Sequence, residues 1–280
     1  MSRQDTGTPL LWLDLTRKCQ LRCTHCYNAS GPEGNHGSMT REEWISALDQ
    51  AAAYGVRNVQ FIGGEPTLHP DFPDLVDHAL TIGLHVEVFS NLVHVSDECW
   101  EIFQRRGLSL ATSYYSDRAD DHDAVTQRRS HRRTRANIAT AVRLNIPVRV
   151  GVIASDDRQD VDEARRDLTA LGVTKLRVDH VRPFGRGAHG LAPDAANLCG
   201  RCGDGRAAIS PTGEVSPCVF SDWMSVGNIR SAPLASILGR NAMKQANASI
   251  LAKTGGGDDD DDTEDECTPG FPGSECSPRN

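Results

Sequence analysis

The fold is decided by residues 10–27, LLWLDLTRKCQLRCTHCY. The first six residues are apolar apart from one aspartate, and a short run of this kind predicts a buried strand. A polar loop with cysteines at 19, 23 and 26 follows directly. Further along the chain, apolar runs of strand length alternate with segments of helical periodicity. The stretch therefore indicates the first strand of an α/β protein, with a chemically unusual loop at its end.

Six strands and the helices between them can be placed in this way. The predicted strands cover residues 10–15, 59–62, 84–89, 108–113, 148–153 and 175–181. The predicted helices cover residues 39–54, 71–82, 97–105, 135–144 and 160–171. Thr40 and Glu43 fit a capping box at the start of the first helix. The predicted fold class is α/β: a partial (β/α)6, TIM-like barrel whose functional face lies at the C-terminal ends of the parallel strands.

The chain changes character after about residue 190, where Gly, Pro and Cys become frequent. We predict a core barrel over residues 1–190 and a small Cys-rich C-terminal extension over residues 191–280. A hairpin is expected in the extension, with strands at 207–209 and 215–217 joined by a Pro-Thr-Gly turn. The alternation of helices and strands is expected to stop there.

The acidity of the chain is confined to one segment. Residues 254–266, TGGGDDDDDTEDE, hold eight acidic side chains, which equals the whole net charge of −8. We expect this low-complexity segment to be a solvated, mobile loop. No apolar run approaches the length of a membrane span, and the polar N-terminus lacks the apolar core of a signal peptide. The sequence therefore predicts a cytoplasmic protein without a membrane association.

Nine cysteines require a chemical explanation, because structural disulfides are rare in the cytoplasm. They are at positions 19, 23, 26, 99, 199, 202, 218, 267 and 276. Two groups near the chain ends are typical of metal sites, whereas Cys99, alone on a helix, is expected to be a small buried hydrophobe. The first group, Cys19, Cys23 and Cys26, can ligate three irons of a [4Fe–4S] cube and leave one iron open. A zinc knuckle is the alternative, although no second pair of ligands lies near this loop.

The C-x3-C-x2-C spacing of the first group, on the loop after the first strand, resembles the signature of the radical S-adenosylmethionine (SAM) superfamily. The resemblance covers about residues 10–190. It implies that the open iron binds SAM, and that one electron from the cluster cleaves SAM to methionine and a 5′-deoxyadenosyl radical. That radical would then remove a hydrogen atom from the substrate. A partner implied by this chemistry is an electron donor such as flavodoxin or ferredoxin.

The same resemblance implies further residues at the SAM site. The Gly63-Gly64-Glu65 sequence matches the GGE motif of the family, in which Glu65 and backbone groups would meet the methionine ammonium. His25 stands where the family usually has an aromatic residue, so its ring is expected to pack on the adenine. Ser90 and Asn91 end the third strand, where ribose contacts are expected, and Arg186 matches a recurrent arginine after the sixth strand. Turn chemistry is the alternative for the Gly-Gly-Glu and Ser-Asn sequences, and a solvated loop charge for Arg186.

In the second group, the spacing Cys202-x10-Gly213-x4-Cys218 resembles the opening of the SPASM extension, which binds auxiliary iron–sulfur clusters. The later cysteine run of a full SPASM domain is missing, so the resemblance implies a single auxiliary cluster, as in the shorter twitch version. The expected ligands are Cys199, Cys202, Cys218 and Cys267. Cys276 is an alternative ligand, an inert thiol or a hydrogen donor to a product radical. A zinc site is the alternative for the whole group.

The substrate follows only from this resemblance. SPASM and twitch enzymes mostly modify ribosomally made peptides, and others oxidise, epimerise or decarboxylate sugars or aminocyclitols in antibiotic pathways. We favour peptide maturation by cross-linking or epimerisation, with a separate leader-binding protein because the barrel starts at about residue 10. A non-catalytic iron–sulfur or zinc scaffold is the alternative of another class.

The basic run at residues 128–135, RRSHRRTR, is the remaining unusual sequence feature. A run of this charge could bind an acidic peptide, a phosphate or RNA. We favour the interpretation that it is a solvated loop leading into a helix. Aromatic residues make up only 5% of the chain, which argues against a nucleic-acid substrate. Tyr114 and Tyr115, which end the fourth strand, are expected either to line the substrate cavity or to pack in the core.

Overall fold

One continuous sheet carries the fold in a computed structural model that describes residues 10–154 and 161–254. Its strands are β1 Leu10–Asp14, β2 Asn58–Ile62, β3 His85–Phe89, β4 Leu108–Tyr114, β5 Val148–Ala154, β6 Lys175–His180, β7 Arg206–Ile209, β8 Glu214–Ser216 and β9 Gly227–Asn228. All six strands predicted for the barrel are present, with ends within one residue of the prediction. The α/β class is therefore confirmed.

The helices lie between and after these strands. They are α1 Arg41–Tyr54, α2 Phe72–Thr81, α3 Asp97–Phe103, α4 Ala119–Thr126, α5 His131–Arg143, α6 Val161–Ala170, α7 Leu234–Leu238 and α8 Asn241–Thr254. The predicted capping box of α1 is formed, because the Thr40 hydroxyl accepts from the Glu43 amide at 3.2 Å and the Thr40 amide donates to the Glu43 carboxylate at 2.8 Å. A left-handed Gly55 with a φ of 96° ends the helix.

The strand order explains how the C-terminal part joins the barrel. The order is β6-β5-β4-β3-β2-β1-β7-β8-β9, and the first six strands are parallel. β7 then pairs in parallel with β1, Leu10 opposite Arg206, and β8 and β9 add antiparallel strands. Within the described residues the sheet has two edges, β6 and β9, which agrees with a partial barrel.

Two expectations for the C-terminal part agree with the structure. The predicted hairpin is present as β7 and β8, and it extends the barrel sheet through β1. The regular alternation of strands and helices ends after β6, because the three strands β7 to β9 follow one another and are followed by two helices, α7 and α8. Residues 255–266 of the acidic segment lie outside the described residues, and Thr254 is the last residue of α8.

The two faces of β1 divide the core. Leu11 and Leu13 face the helices and pack in one cluster with Trp44 of α1, and Cys99 is buried in this cluster as predicted. Trp12, on the opposite face, packs in a second cluster with C-terminal residues that include Cys202, Cys218 and Ile250. Because strand side chains alternate, both faces of β1 are buried at once. Each fully buried large side chain stabilises the fold by about 1.5–3 kcal/mol, so β1 is a central element.

Side-chain contacts also tie the C-terminal part to α1. The amide of Leu234 donates to Gln50 at 2.7 Å, and Arg230 forms an ion pair with Glu43 at 2.8 Å. Among the described residues, none of the helices has the length and apolar character required to cross a bilayer.

Candidate active site

A cavity of about 610 Å³ lies at the C-terminal ends of the parallel strands. Its wall includes the three cysteines of the first group together with Gly63 and Gly64. The residues on the wall that the sequence also predicted are His25, Asn91, Tyr115 and Arg186. The structure thus brings most of the predicted SAM-site residues around one space, at the end of the sheet where this fold class places its chemistry.

The loop that carries the three cysteines, residues 19–26, is held by backbone hydrogen bonds. The amide of Cys19 donates to Gly31 at 3.0 Å. The amides of Arg22 and Thr24 donate to Thr126 and Val125, at 3.1 and 2.9 Å, in the last turn of α4. This cluster loop, as we call it, is therefore fixed by contacts to the segment between β1 and α1 on one side and to α4 on the other.

The thiols of the cluster loop suit an iron–sulfur cluster. Burial raises the pKa of Cys19 and of Cys23 to about 12, and burial also raises the pKa of Cys26. The thiols are therefore protonated at neutral pH until a metal replaces the protons. No group of three His, Cys, Asp or Glu side chains in the described part of the chain is arranged for a single ion. Three soft donors around one space fit a [4Fe–4S] cube, whose irons are ligated separately.

The end of β2 packs directly under the cluster loop. A Cβ added to Gly64 would lie 2.4 Å from the carbonyl oxygen of Lys18, and one added to Gly63, whose φ is 149°, would lie 2.6 Å from that of Thr16. The amide of Glu65 donates to Lys18 at 2.9 Å. Only glycine allows this approach of two backbones, which gives the Gly-Gly pair a physical reason at this position.

Glu65 lies behind the cavity wall. Its carboxylate is fully buried and accepts from the Asn91 amide at 2.8 Å, and from the amide and hydroxyl of Thr67 at 3.2 and 2.8 Å. The Ser90 hydroxyl also hydrogen-bonds to it, and Ser90 is likewise buried away from the cavity. Asn91 does reach the cavity, with its amide nitrogen 3.6 Å from the Cys19 sulfur. The roles of Glu65 and Ser90 toward SAM therefore stay predictions, and the contacts of both link β2 to the end of β3.

We expect Glu65→Ala to destabilise the protein. The change removes the acceptor of the partly buried amides of Thr67 and Asn91, at about 1 kcal/mol each. The free energy of unfolding in urea should fall by about 2 kcal/mol or more. Glu101→Ala, on the exposed side of α3, is the matched control and should change it by less than about 0.5 kcal/mol. Equal effects of the two changes would contradict the role given to the Glu65 carboxylate.

Arg186 holds the cluster loop from the other side. Its side chain donates to the carbonyl oxygens of Cys23 and Ser30, each at 2.7 Å, and its amide donates to Cys26 at 2.9 Å. The preceding Gly185 has a φ of 53°, and a Cβ there would lie 2.3 Å from the carbonyl oxygen of Tyr27. The turn after β6 is therefore built against the cluster loop, while Arg186 also lines the cavity.

Two rings form an aromatic part of the wall. His25 contacts Tyr115 edge to face, with ring centroids 5.0 Å apart. Burial lowers the pKa of His25 to about 4, so the imidazole is neutral at pH 7. Tyr114, one residue earlier on β4, points to the other face and is buried in the core, where its hydroxyl hydrogen-bonds to His131 and donates to Asp167. The alternation of the strand thus assigns one tyrosine to the cavity and the other to packing.

Sequence reasoning missed the charged pair of the cavity floor. Arg149 of β5 donates two hydrogen bonds, both 2.8 Å long, to the carboxylate of Glu87 on β3. Both side chains are buried, and Arg149 lines the cavity. The sequence did contain a signal for this pair, because a charged residue in the middle of a mainly apolar strand requires a buried partner of opposite charge.

His122 of α4 was also missed, and it makes stability depend on pH. Burial lowers the pKa of His122 from 6.5 to about 4. As the pH falls, the unfolded chain takes up a proton near pH 6.5 and the folded chain only near pH 4. The stability due to neutral His122 is therefore present above pH 6.5 and is lost between pH 6.5 and 4, by about 3 kcal/mol at 1.36 kcal/mol per pKa unit. The variant His122→Gln should lose less stability over this interval in urea titrations, and parallel curves would refute the assignment.

The second cysteine group is assembled around the hairpin. Cys202 precedes β7 and Cys218 follows β8, and the turn between them has Gly213 with a φ of 83°. The sulfurs of Cys199 and Cys202 are 3.9 Å apart, and Cys218 hydrogen-bonds to Cys202. The hydrogen bond from Cys202 lowers the pKa of Cys199. Three of the four predicted auxiliary ligands therefore lie together, and Cys267 and Cys276 are outside the described residues.

Comparison with known protein families gives two matches. A model of the radical SAM superfamily matches residues 13–168, and a model of an iron–sulfur cluster-binding domain, SPASM, matches residues 199–269. The PqqA peptide cyclase of Streptomyces rochei is 29% identical over 207 residues, which are 71% of this chain and 56% of that protein. The PqqA peptide cyclase of Rhodopseudomonas palustris is 29% identical over 183 residues, 64% of this chain and 48% of that one. The chain thus spans about half the length of these relatives.

Solved structures share the fold. Streptococcus suis SuiB bound to its precursor peptide SuiA has a TM-score of 0.73 at 14% identity, covering 88% of this chain and 67% of that one. A SAM-bound structure of anSMEcpe has a TM-score of 0.70 at 12% identity, covering 88% of this chain and 84% of that one. At these identities the likeness concerns the fold alone.

Proposed function

Because the chain belongs to the radical SAM superfamily, we propose that it is an enzyme that removes a hydrogen atom from a substrate with the help of a [4Fe–4S] cluster and SAM. The observation that carries this proposal is the position of three cysteine thiols on the wall of a cavity that Gly63 and Gly64 also line. When bound, the cluster and SAM supply one-electron cleavage of a carbon–sulfur bond and hydrogen-atom abstraction.

The residues of this chain bind and orient the reactants. Cys19, Cys23 and Cys26 would hold three irons, and Arg186 fixes the loop that carries them through its carbonyl oxygens. The neutral ring of His25, backed by Tyr115, offers a flat surface to the adenine. Cys19 is buried and Cys23 and Cys26 are partly buried, so the loop would shield a bound cluster from part of the solvent.

The substrate class proposed is a ribosomally made peptide that undergoes maturation by cross-linking or epimerisation. Relatives named PqqA peptide cyclase and the fold shared with SuiB, solved with its precursor peptide, support this choice. A cavity of about 610 Å³ suits SAM together with one or two side chains. A sugar or an aminocyclitol is the second candidate substrate, and the fold shared with BtrN, solved with AdoMet and 2-DOIA, at a TM-score of 0.56 supports it.

The proposal includes an auxiliary iron–sulfur cluster on Cys199, Cys202 and Cys218, with Cys267 as the fourth ligand. The match to the iron–sulfur cluster-binding domain ends at residue 269, which supports Cys267 over Cys276. A separate leader-binding protein and a cytoplasmic location complete the proposal, since reduced thiols and low-potential clusters require a reducing compartment.

The test is anaerobic reconstitution of the full chain with iron and sulfide, followed by dithionite and SAM. Release of 5′-deoxyadenosine is expected, and its absence under all conditions would contradict the proposed activity. A small peptide encoded beside the gene should increase this release and lose two hydrogen atoms on cross-linking, or exchange one with solvent on epimerisation. An increase with an aminocyclitol and none with the peptide would favour the second candidate.

A further inference from the structure

Four exposed arginines follow α4 and enter α5, and no acidic side chain within residues 10–154 and 161–254 forms an ion pair with them. They are Arg128, Arg129, Arg132 and Arg133. The neighbouring arginines on the same two helices are paired, Arg118 with an aspartate of α4 and Arg135 with an aspartate of α6. Among the residues that the structure describes, none of the four forms an ion pair. Within the described part of the chain, these four arginines of the basic run therefore form a patch of uncompensated positive charge, whereas Arg135 at the end of the run is paired.

Two of these arginines do not stabilise the fold. Arg132 and Arg133 lie in the first turn of α5, where the helix dipole disfavours positive charge. Two amides at this helix start already have an acidic partner, because the Asp123 carboxylate accepts from Ser130 and His131 at 2.8 and 2.9 Å. A sequence selected for stability alone would place acidic or neutral residues here. The arginines consequently point to a partner outside this fold.

The patch lies beside the cluster loop. The last turn of α4 accepts the backbone amides of Arg22 and Thr24, and the arginine run starts two residues after Thr126. Arg22 is itself exposed. Inward-facing residues of this segment, such as His122 and Thr126, line the cavity, whereas none of the four arginines does. The arginines therefore lie on the outer side of the segment that holds the cluster loop.

We propose that this arginine surface, formed by Arg22, Arg128, Arg129, Arg132 and Arg133, docks an acidic one-electron redox protein. The inference rests on the proposed function, in which each SAM cleavage consumes one electron. SAM and substrate would cover the cavity side of the cluster, so the electron has to enter from the outer side. The donor loses one electron, the cluster gains it, and no bond or proton is exchanged in this step. A partner with an acidic surface would be steered to the patch by its charge.

The experiment compares two variants with the same change of charge. The first is R129E/R132E/R133E. The control is R57E/R106E/R143E, which changes exposed arginines before β2, before β4 and at the C-terminal end of α5, at the opposite end of the barrel. 5′-Deoxyadenosine release is measured with dithionite and, separately, with reduced flavodoxin or a plant-type ferredoxin, both of which are acidic.

We expect equal rates with dithionite for the wild type and both variants. The melting temperature of the first variant should not fall, because glutamates in the first turn of α5 suit the helix dipole. With the protein donors, kcat/KM for the donor should fall at least tenfold in the first variant and less than twofold in the control. The wild-type rate should decrease with added salt, and the rate of the first variant should depend on salt much less.

The possible failures are distinguishable. No cleavage with dithionite in the wild type would overturn the proposed function and the docking proposal with it. Dithionite-driven cleavage with equal donor-driven rates in the two variants would overturn the docking proposal alone, as would failure of both donors to reduce the wild type. If the first variant loses peptide modification with dithionite as reductant, the surface belongs to the peptide and the docking proposal is wrong.

Discussion

Replacement of any one of Cys19, Cys23 and Cys26 by alanine is expected to abolish 5′-deoxyadenosine formation, by about a thousandfold or more. A loss of about 4 kcal/mol of transition-state stabilisation has this size, and two thiolates do not hold the cube in place. The measurement is release of 5′-deoxyadenosine by the anaerobically reconstituted chain. Cys99→Ala is the control, because Cys99 is buried in the core away from the cavity. It should lower the free energy of unfolding by about 1 kcal/mol and leave the release unchanged.

The triple variant of these cysteines also tests the second site. Cys199, Cys202 and Cys218 remain in it, so iron should persist at the content of one auxiliary cluster. Iron near zero with zinc bound would refute the auxiliary cluster. Release of 5′-deoxyadenosine by any single variant at the wild-type rate would refute the assignment of the cluster loop.

Gly185→Ala is expected to have the second-largest effect, although the residue lies outside every cysteine motif. Its Cβ would lie 2.3 Å from the carbonyl oxygen of Tyr27 and 2.4 Å from that of Cys26, so one of two backbones has to move. A shift of about 1 Å at the cluster loop is able to reduce the rate about a hundredfold. We expect the iron content to fall toward that of the auxiliary site and 5′-deoxyadenosine release to fall by this factor.

Gly190→Ala provides a matched control. Gly190 also has a positive φ, 85°, but a Cβ there meets no atom within 4 Å. Both changes cost the strain of a left-handed alanine, and only the first adds a clash. If both variants lose iron to the same extent, the effect comes from backbone strain and the packing argument is wrong.

The first strands of the barrel were predictable because β1 and β2 are buried at every residue and therefore form short, mainly apolar runs in the sequence. α1 was predictable from its capping box. α4, ADDHDAVT, was not, since it has no apolar stripe and buries only His122 and Thr126. The pairing of β7 with β1 was also not predictable, because the local sequence does not determine the register between two strands that are far apart in the chain.

The candidate site was likewise predictable from the sequence only in part. The spacing of three cysteines on one loop depends on the local sequence and was readable. The direction of Glu65 and Ser90 depends on the path of the chain at two strand ends, which turns both side chains toward each other behind the cavity. The hydrogen bonds from Arg186 to the carbonyl oxygens of Cys23 and Ser30 join segments that are far apart in the chain, so only the structure shows them.

The pairing of β1 with β7 sets an order of events during synthesis. A chain leaves the ribosome from its N-terminus, so β1 emerges first and its partner at residues 206–209 emerges only after the rest of the barrel. Until then one edge of β1 is unpaired, and Trp12 lacks its C-terminal neighbours. Since β1 leads directly into the cluster loop, iron–sulfur insertion into a finished site would follow release of most of the polypeptide. Chains that stop before residue 209 should aggregate rather than accumulate as empty barrels.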